Sequence, residues 1–174
     1  MNSSPIETER KYLIRYPDTA ALAAMDGARV LRMRQTYLLA DEDVNARVRQ
    51  IEENNTVRYI RTEKRRISAI SSYEDEWELT AAEYEDALRQ ADPERRTIEK
   101  TRYVIPHGEL RCEIDVYPFW DDRAILEIEL PGEDTVVTLP DYLTILREVS
   151  GDRRYSNRAM AKTIPQDDIE HIRG

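Results

Sequence analysis

Glu7, Glu9 and Lys11 alternate along the stretch Ile6-Glu7-Thr8-Glu9-Arg10-Lys11-Tyr12, and on an extended strand side chains two apart share a face. Two carboxylates and an ammonium in line can hold a divalent cation and, beside it, a phosphate. The same spacing recurs along the chain. Arg47 and Arg49 flank Val48, Thr62 and Lys64 flank Glu63, and Lys100 and Arg102 flank Thr101. Glu76 and Glu78 flank Trp77, Glu113 and Asp115 flank Ile114, and Glu127 and Glu129 flank Ile128. Like charges side by side repel, so a merely solvated face favours mixed signs. Here the signs are sorted by row, which points to separate zones for an anion and for cations.

A chain with 35% charged residues produces some pairs at this spacing by chance, and antiparallel sheets commonly keep one wet face. Any single pair therefore reads as solvated surface; the sorted set does not. The opposite faces are apolar, with Leu110, Cys112, Ile114 and Val116 in one row and Leu126, Ile128 and Leu130 in another. If those faces pack outward against helices, the charged faces converge only when the sheet curls on itself. A charged lumen is costly to desolvate empty and becomes reasonable when water, metal ions and a polyanion fill it.

The elements that must position these rows follow from pattern and punctuation. Strands are predicted near 6–16, 29–39, 44–53, 56–66, 72–79, 96–105, 109–117 and 123–130, with a turn at Asn54-Asn55 and a connection through Pro106-His107-Gly108. Asp18 caps a short helix that Gly27 ends. Thr80 and Glu83 form a capping box for a second helix, which closes before Pro93. A third helix is expected near 140–150, with a tail from 153. The fold class is mainly antiparallel β with inserted helices (α+β), an eight-stranded closed tunnel occupying residues 1–174 as a single domain.

Length and a 40% hydrophobic content suffice for one core. The formal net charge of −9 and pI near 4.9 argue against general nucleic-acid or anionic-membrane binding. A polyphosphate must therefore be held locally, against the global field. No stretch approaches a membrane span, and Met1–Pro5 lacks the basic and apolar regions of a signal peptide. Cys112 is the single cysteine and is expected as a buried reduced thiol, consistent with a cytoplasmic location. His107 and His171, the only histidines, are expected exposed and without metal-ligand neighbours. There is no phosphate-binding loop or dinucleotide turn.

In order, these motifs resemble those of the CYTH-domain proteins of the triphosphate tunnel metalloenzyme superfamily. The opening Glu-x-Glu-x-Lys at residues 7–11 matches its signature. Arg34-Gln35-Thr36-Tyr37-Leu38, Arg47-Val48-Arg49, Thr62-Glu63-Lys64, Glu76-Trp77-Glu78 and Glu99-Lys100-Thr101-Arg102-Tyr103 are similar to the motifs that follow. Glu113-Ile114-Asp115-Val116, Leu126-Glu127-Ile128-Glu129 and Arg154-Tyr155-Ser156-Asn157 complete a series spanning residues 6 to about 164, most like the bacterial inorganic triphosphatases. One departure precedes Glu76: where those enzymes often carry a basic residue, this chain has Glu74, with Arg65 or Arg66 as compensating candidates.

The resemblance implies a tunnel that binds a small-molecule triphosphate and Mg²⁺ or Mn²⁺. Glu7, Glu9, Glu127 and Glu129, with Asp115, would ligate the metal, and Glu76, Glu78 and Glu113 would be further lumen acids. Lys11, Arg47, Arg49, Lys64 and Arg102 would grip phosphates, as the planar guanidinium fork suits phosphate oxygens. Lys100 with Tyr37 resembles a catalytic lysine–tyrosine pair; from the residues alone, Tyr37 reads as a packing aromatic and Lys100 as an ion-pair partner. Six cations against eight acids leave the lining at −2, which is a physical reason for metal dependence. All-oxygen donors favour Mg²⁺ or Mn²⁺ over Zn²⁺. Neighbouring cations would lower the pKa of Lys100 and neighbouring carboxylates raise it.

Three functions fit this reading. The first is hydrolysis of short-chain phosphates, inorganic triphosphate above all, with nucleoside or thiamine triphosphate as alternatives. The second is an adenylate cyclase forming cyclic AMP from ATP. The third is a non-catalytic polyphosphate-binding module. A purine needs a shaped wall, for which Tyr103, Tyr117 and Trp120 are the candidates.

Overall fold

The computed structural model describes residues 6–171. The Met1–Pro5 segment and the side chain of His171 lie outside the described residues. Among the described residues nine strands form, β1 (Ile6–Arg15), β2 (Arg29–Tyr37), β3 (Asn45–Glu53), β4 (Thr56–Arg66), β5 (Ser71–Leu79), β6 (Ile98–His107), β7 (Leu110–Val116), β8 (Arg123–Leu130) and β9 (Ile145–Glu148). Three short helices, α1 (Thr19–Ala23), α2 (Ala81–Ala87) and α3 (Asn157–Met160), interrupt them. The sheet runs β5-β4-β3-β2-β6-β7-β8-β1, all antiparallel, and β1 pairs back onto β5 to close an eight-stranded barrel. The eight expected strands are all present.

Local chemistry accounts for the connections. Asn54 and Asn55 take positive φ values of 50° and 63° between β3 and β4, the conformation a tight two-residue hairpin demands and asparagine tolerates. Thr80 and Glu83 close the capping box at α2. Gly27 has φ +73°, and a Cβ there would lie 2.9 Å from the Pro106 ring, so only glycine fits this close approach.

The expected helix near 140–150 is instead β9, whose residues pair with β1 at Tyr12–Ile14. Closure explains the difference. β5 meets β1 only at Ile6–Thr8, which leaves the next turn of that β1 edge with open hydrogen-bonding groups, and β9 takes them up.

Two apolar layers lie outside the barrel wall. Cys112, Ile114, Leu126, Ile128 and Leu130 pack beneath Leu22 of α1 and the Val137–Ile145 segment. Val44, Ala46 and Val48 pack beneath Tyr84 of α2. Inside, apolar residues close both ends of the charged zone. Leu31, Met33, Ile51, Ile60 and Val104 cluster at one end. At the other, Leu13, Tyr37, Ile98 and Ile125 meet Tyr155, Met160 and Ala161 of the C-terminal segment. The charged rows therefore form a belt rather than a lining from end to end. His107, expected exposed, is half-buried at the end of β6, with Nε2 against the Thr138 carbonyl. Among the described residues no helix is long and apolar enough to cross a membrane.

Candidate active site

The strand registers set the site. Lys11 stands opposite Glu127, Glu9 opposite Glu129, Arg102 opposite Asp115, Glu113 opposite Glu127, and Lys64 opposite Glu74. Directly opposed residues share a sheet face, so four neighbouring strand pairs deliver their charged rows to one space. That space is a cavity of about 1340 Å³, reached by Lys11, Arg47, Arg49, Lys64, Lys100 and Arg102, by Glu7, Glu9, Glu76, Glu113, Glu127 and Glu129, and by Tyr37. Glu78 shares the face of Glu76 on β5 but is exposed opposite Ile60 and does not reach the cavity. Asp115 lies fully buried behind it. The place left by Glu78 is taken by Glu74, which does line the cavity.

Lys100, Arg102 and Asp115 form the most tightly connected group. Asp115 accepts two hydrogen bonds from the Arg102 guanidinium, at 2.7 and 2.9 Å, and stands 2.9 Å from Lys100 Nζ. Arg102 also donates to Glu113 at 2.7 Å and lies 3.5 Å from Glu127. Burial acts against the Asp115 carboxylate, yet Arg102 and Lys100 outweigh it and hold its pKa far below the usual carboxylate range. Burial acts on Lys100 as well, and together with Arg102 and Arg47 it prevails over Asp115 and Glu127, pushing the amine down to about 8. The opposing influences on Lys100 are thus resolved in favour of desolvation.

The other cations are held more loosely. Arg49 donates to Glu76 at 3.1 Å, while burial, Arg47 and Arg102 lower its pKa to about 10. The Nε atoms of Arg47 and Arg49 are buried without a hydrogen-bond partner among the described residues, a costly state for a donor unless a ligand satisfies it. Lys64 sits between Glu7 and Glu74, at 3.3 and 3.1 Å. Burial and Arg47 act against its charge, but Glu9, Glu7 and Glu74 together hold its pKa above the ordinary lysine value. Lys11 lies 3.6 Å from Glu127 and 3.5 Å from the Tyr155 carbonyl. Arg65 and Arg66 stand at the exposed mouth, near Asp43 and the Ser68 carbonyl.

Negative charge is in excess beside β1 and β8. Burial raises the pKa of Glu7, and so does its hydrogen bond with Glu74, against Lys64. Glu129 is raised by burial and then by Glu7, Glu113 and Glu9. Such a group gains from any cation that enters. Among the described residues, however, no three acidic, histidine or cysteine side chains already converge as a metal site.

Tyr37 is 2% exposed, with its ring in the core and its hydroxyl accepting from Gln35 Nε2 at 2.7 Å. It is both a packing aromatic and part of the cavity lining. Residues from the C-terminal segment complete the wall, among them Arg153, Ser156, Asn157 and Arg158, with Arg95 from the β5–β6 connection. Arg158 and Arg95 carry no sequence signal of their own, although Arg158 directly follows the Arg154–Asn157 motif.

No family model matches the chain. It is 31% identical to an inorganic triphosphatase of Acetivibrio thermocellus over 157 residues, 90% of this chain and 93% of that one. It is 30% identical to an inorganic triphosphatase of Nitrosomonas europaea, over 91% of this chain and 99% of that one. Its fold is similar to the crystal structure of the inorganic triphosphatase NE1496, with a TM-score of 0.56 and 26% identity, covering 95% and 99% of the two chains. A likeness that runs almost end to end in both relatives, on a closed barrel with this belt of charge, makes the chain a member of the inorganic triphosphatase family of CYTH-domain tunnel enzymes.

Proposed function

We propose that this chain hydrolyses inorganic triphosphate to pyrophosphate and phosphate within its barrel. The observation that carries this reading is the convergence of six cations from four strands on one cavity that also presents carboxylates. Phosphoryl transfer requires mainly positioning and neutralisation of charge on the transferred group. Arg47 and Arg49, whose buried Nε atoms lack partners among the described residues, are assigned to phosphate oxygens, with Lys11, Lys64 and Arg102 around them. Lys100 is assigned to orient the attacking water, and Tyr37 to support it from the cavity wall. Asp115 holds Lys100 and Arg102 in place rather than facing the cavity.

The chemistry of the acidic group fits a hard divalent cation. Glu7, Glu9, Glu127 and Glu129 would hold Mg²⁺ or Mn²⁺, since they offer only oxygen donors and the pKa of Glu129 is raised by burial and then by the carboxylates around it. When bound, the ion would supply neutralisation of the polyphosphate and of the excess carboxylate charge. Preference for inorganic triphosphate over ATP is supported by the candidate base walls. Tyr117 and Trp120 lie in the inner core, Tyr103 packs in the outer one, and none of the three is among the residues lining the cavity.

The test is product analysis with a small triphosphate panel in Mg²⁺ or Mn²⁺. Inorganic triphosphate should give the highest kcat/KM, ATP should release phosphate, and excess chelator should abolish both. Cyclic AMP and pyrophosphate as the main products from ATP would replace this reading with the cyclase.

A further inference from the structure

The Lys100 amine is held by two different buried side chains. Asp115 Oδ2 lies 2.9 Å away and Asn157 Oδ1 3.4 Å away. Asn157 is 7% exposed and opens α3, where the Ser156 hydroxyl accepts from the Ala159 N–H at 3.1 Å and fixes the turn. The same Oδ1 accepts a 2.8 Å hydrogen bond from the hydroxyl of Tyr117. Tyr117 is itself 1% exposed, wedged between Phe119 and Trp120, with Lys100 Nζ 6.0 Å from its ring. Two residues earlier, the Tyr155 carbonyl meets Lys11 Nζ at 3.5 Å. The segment that closes this end of the barrel therefore supplies oxygen acceptors to two lumen lysines.

The consequence lies in the valence of the amine. Nitrogen in a lysine side chain has three positions besides its carbon, filled by three protons when charged or by two protons and a lone pair when neutral. Asp115 and Asn157 accept from two of them, and the residue lines the cavity with what is left. Without the second acceptor the amine can rotate about Asp115, and a group that must orient a water loses rate when its position spreads by even about 1 Å.

We infer that Asn157 is a positioning residue for the reaction, holding the Lys100 amine jointly with Asp115 so that its remaining position faces the substrate, and that Tyr117 in turn fixes Asn157. This rests on the role given to Lys100 above.

The test is steady-state kinetics on inorganic triphosphate with Mg²⁺. Asn157→Ala should lower kcat by ~10-fold or more while KM stays within about twofold, because no phosphate contact is removed. Asn157→Asp keeps an acceptor oxygen and should retain more kcat than the alanine variant. Tyr117→Phe keeps the ring and deletes the donor, so its kcat should fall less, again without a change in KM. In a Lys100→Ala background, Asn157→Ala should cause little further loss, since residues acting through one another are not additive.

The two levels of the reading fail differently. If Lys100→Ala leaves kcat unchanged, the role of Lys100 is wrong. If Lys100→Ala lowers kcat but Asn157→Ala multiplies the loss by the same factor in both backgrounds, or raises KM instead, the positioning role is wrong. Should Asn157→Ala not fold, Tyr117→Phe decides: an unchanged kcat in that folded variant overturns the inference.

Discussion

Lys100 and Asp115 are bound to each other, and burial opposes the charge of both, with different outcomes. The carboxylate keeps its charge because two cations meet it, whereas the amine is brought down to about 8. An amine at that value gains its lone pair as pH rises from 7 to 9, so kcat/KM, which reports the free enzyme, should climb through a midpoint near 8. Lys100→Arg, charged at every accessible pH, should remove that limb; a limb that survives in the variant would exclude Lys100 as its source. Asp115→Asn makes the complementary change, leaving Lys100 and part of Arg102 without a counter-charge. A loss of ~3 kcal/mol is expected, the scale for breaking a buried pair from one side, read as a shift in the denaturation midpoint. Spacing in the sequence places each of these charges on its face, because the period of a strand is two. It does not reveal depth along the barrel. Glu78, Glu76 and Glu74 share one face of β5, yet one is exposed beyond the cavity and the other two line it. Asp115 and Glu113 share a face too, and only the shorter side chain disappears behind the cations.

Among the elements, β9 departs most from its sequence pattern. Leu143, Leu146, Arg147 and Glu148 are adequate helix formers, and their composition alone favours the helix expected near 140–150. The open edge of β1 overrides that preference, since strand propensity follows the partner more than the residue. Elements whose signals are local are legible without the fold, as the Asn54-Asn55 turn and the Thr80–Glu83 box illustrate. An element recruited by a distant edge is not. Its position has a functional side: beyond β9 the chain continues along β1, where Val149 N–H donates to the Lys11 carbonyl at 2.8 Å and Ser150 Oγ accepts from the Lys11 N–H at 2.9 Å. Leu146, 4% exposed, anchors the strand in the inner core. Leu146→Ala should cost ~3 kcal/mol, in the range for a truncated core leucine. By loosening the strand that clamps Lys11, it should also raise KM for the triphosphate more than it lowers kcat. Unaltered kinetics well below the melting temperature would confine β9 to a structural part.

For the whole molecule the governing fact is a negative net charge of −9 around a barrel built to receive a polyanion. Within the belt, eight carboxylates (with Glu74 replacing Glu78) face six cations. These strand rows taken alone thus carry the same sign as the whole chain, while Arg95, Arg153 and Arg158 add positive charge where the C-terminal segment completes the wall. The cost falls on Glu7 and Glu129, whose pKa values are raised by burial and by neighbouring carboxylates. A carboxyl whose folded pKa exceeds its unfolded one contributes stability that is complete below the unfolded value and lost as pH rises through the folded value. At neutral pH both groups therefore weigh against folding, and a bound divalent cation should do the work that a proton does in acid. Ligand that binds only the folded state stabilises it by mass action, by about 2.7 kcal/mol at a hundredfold excess over Kd. For a chain of this length that corresponds to a rise in Tm of roughly 5–10 °C. Three outcomes are expected in thermal melts: Tm at pH 7.5 rises with Mg²⁺ or Mn²⁺, the metal-free Tm rises on mild acidification toward pH 5.5, and Glu129→Gln raises the metal-free Tm while shrinking the metal-induced increment. The same substitution should reduce turnover by ~10–100-fold, as losses around a metal site do. A Tm indifferent to metal in the unsubstituted protein would remove the divalent ion from this account of how an acidic barrel retains a polyanion.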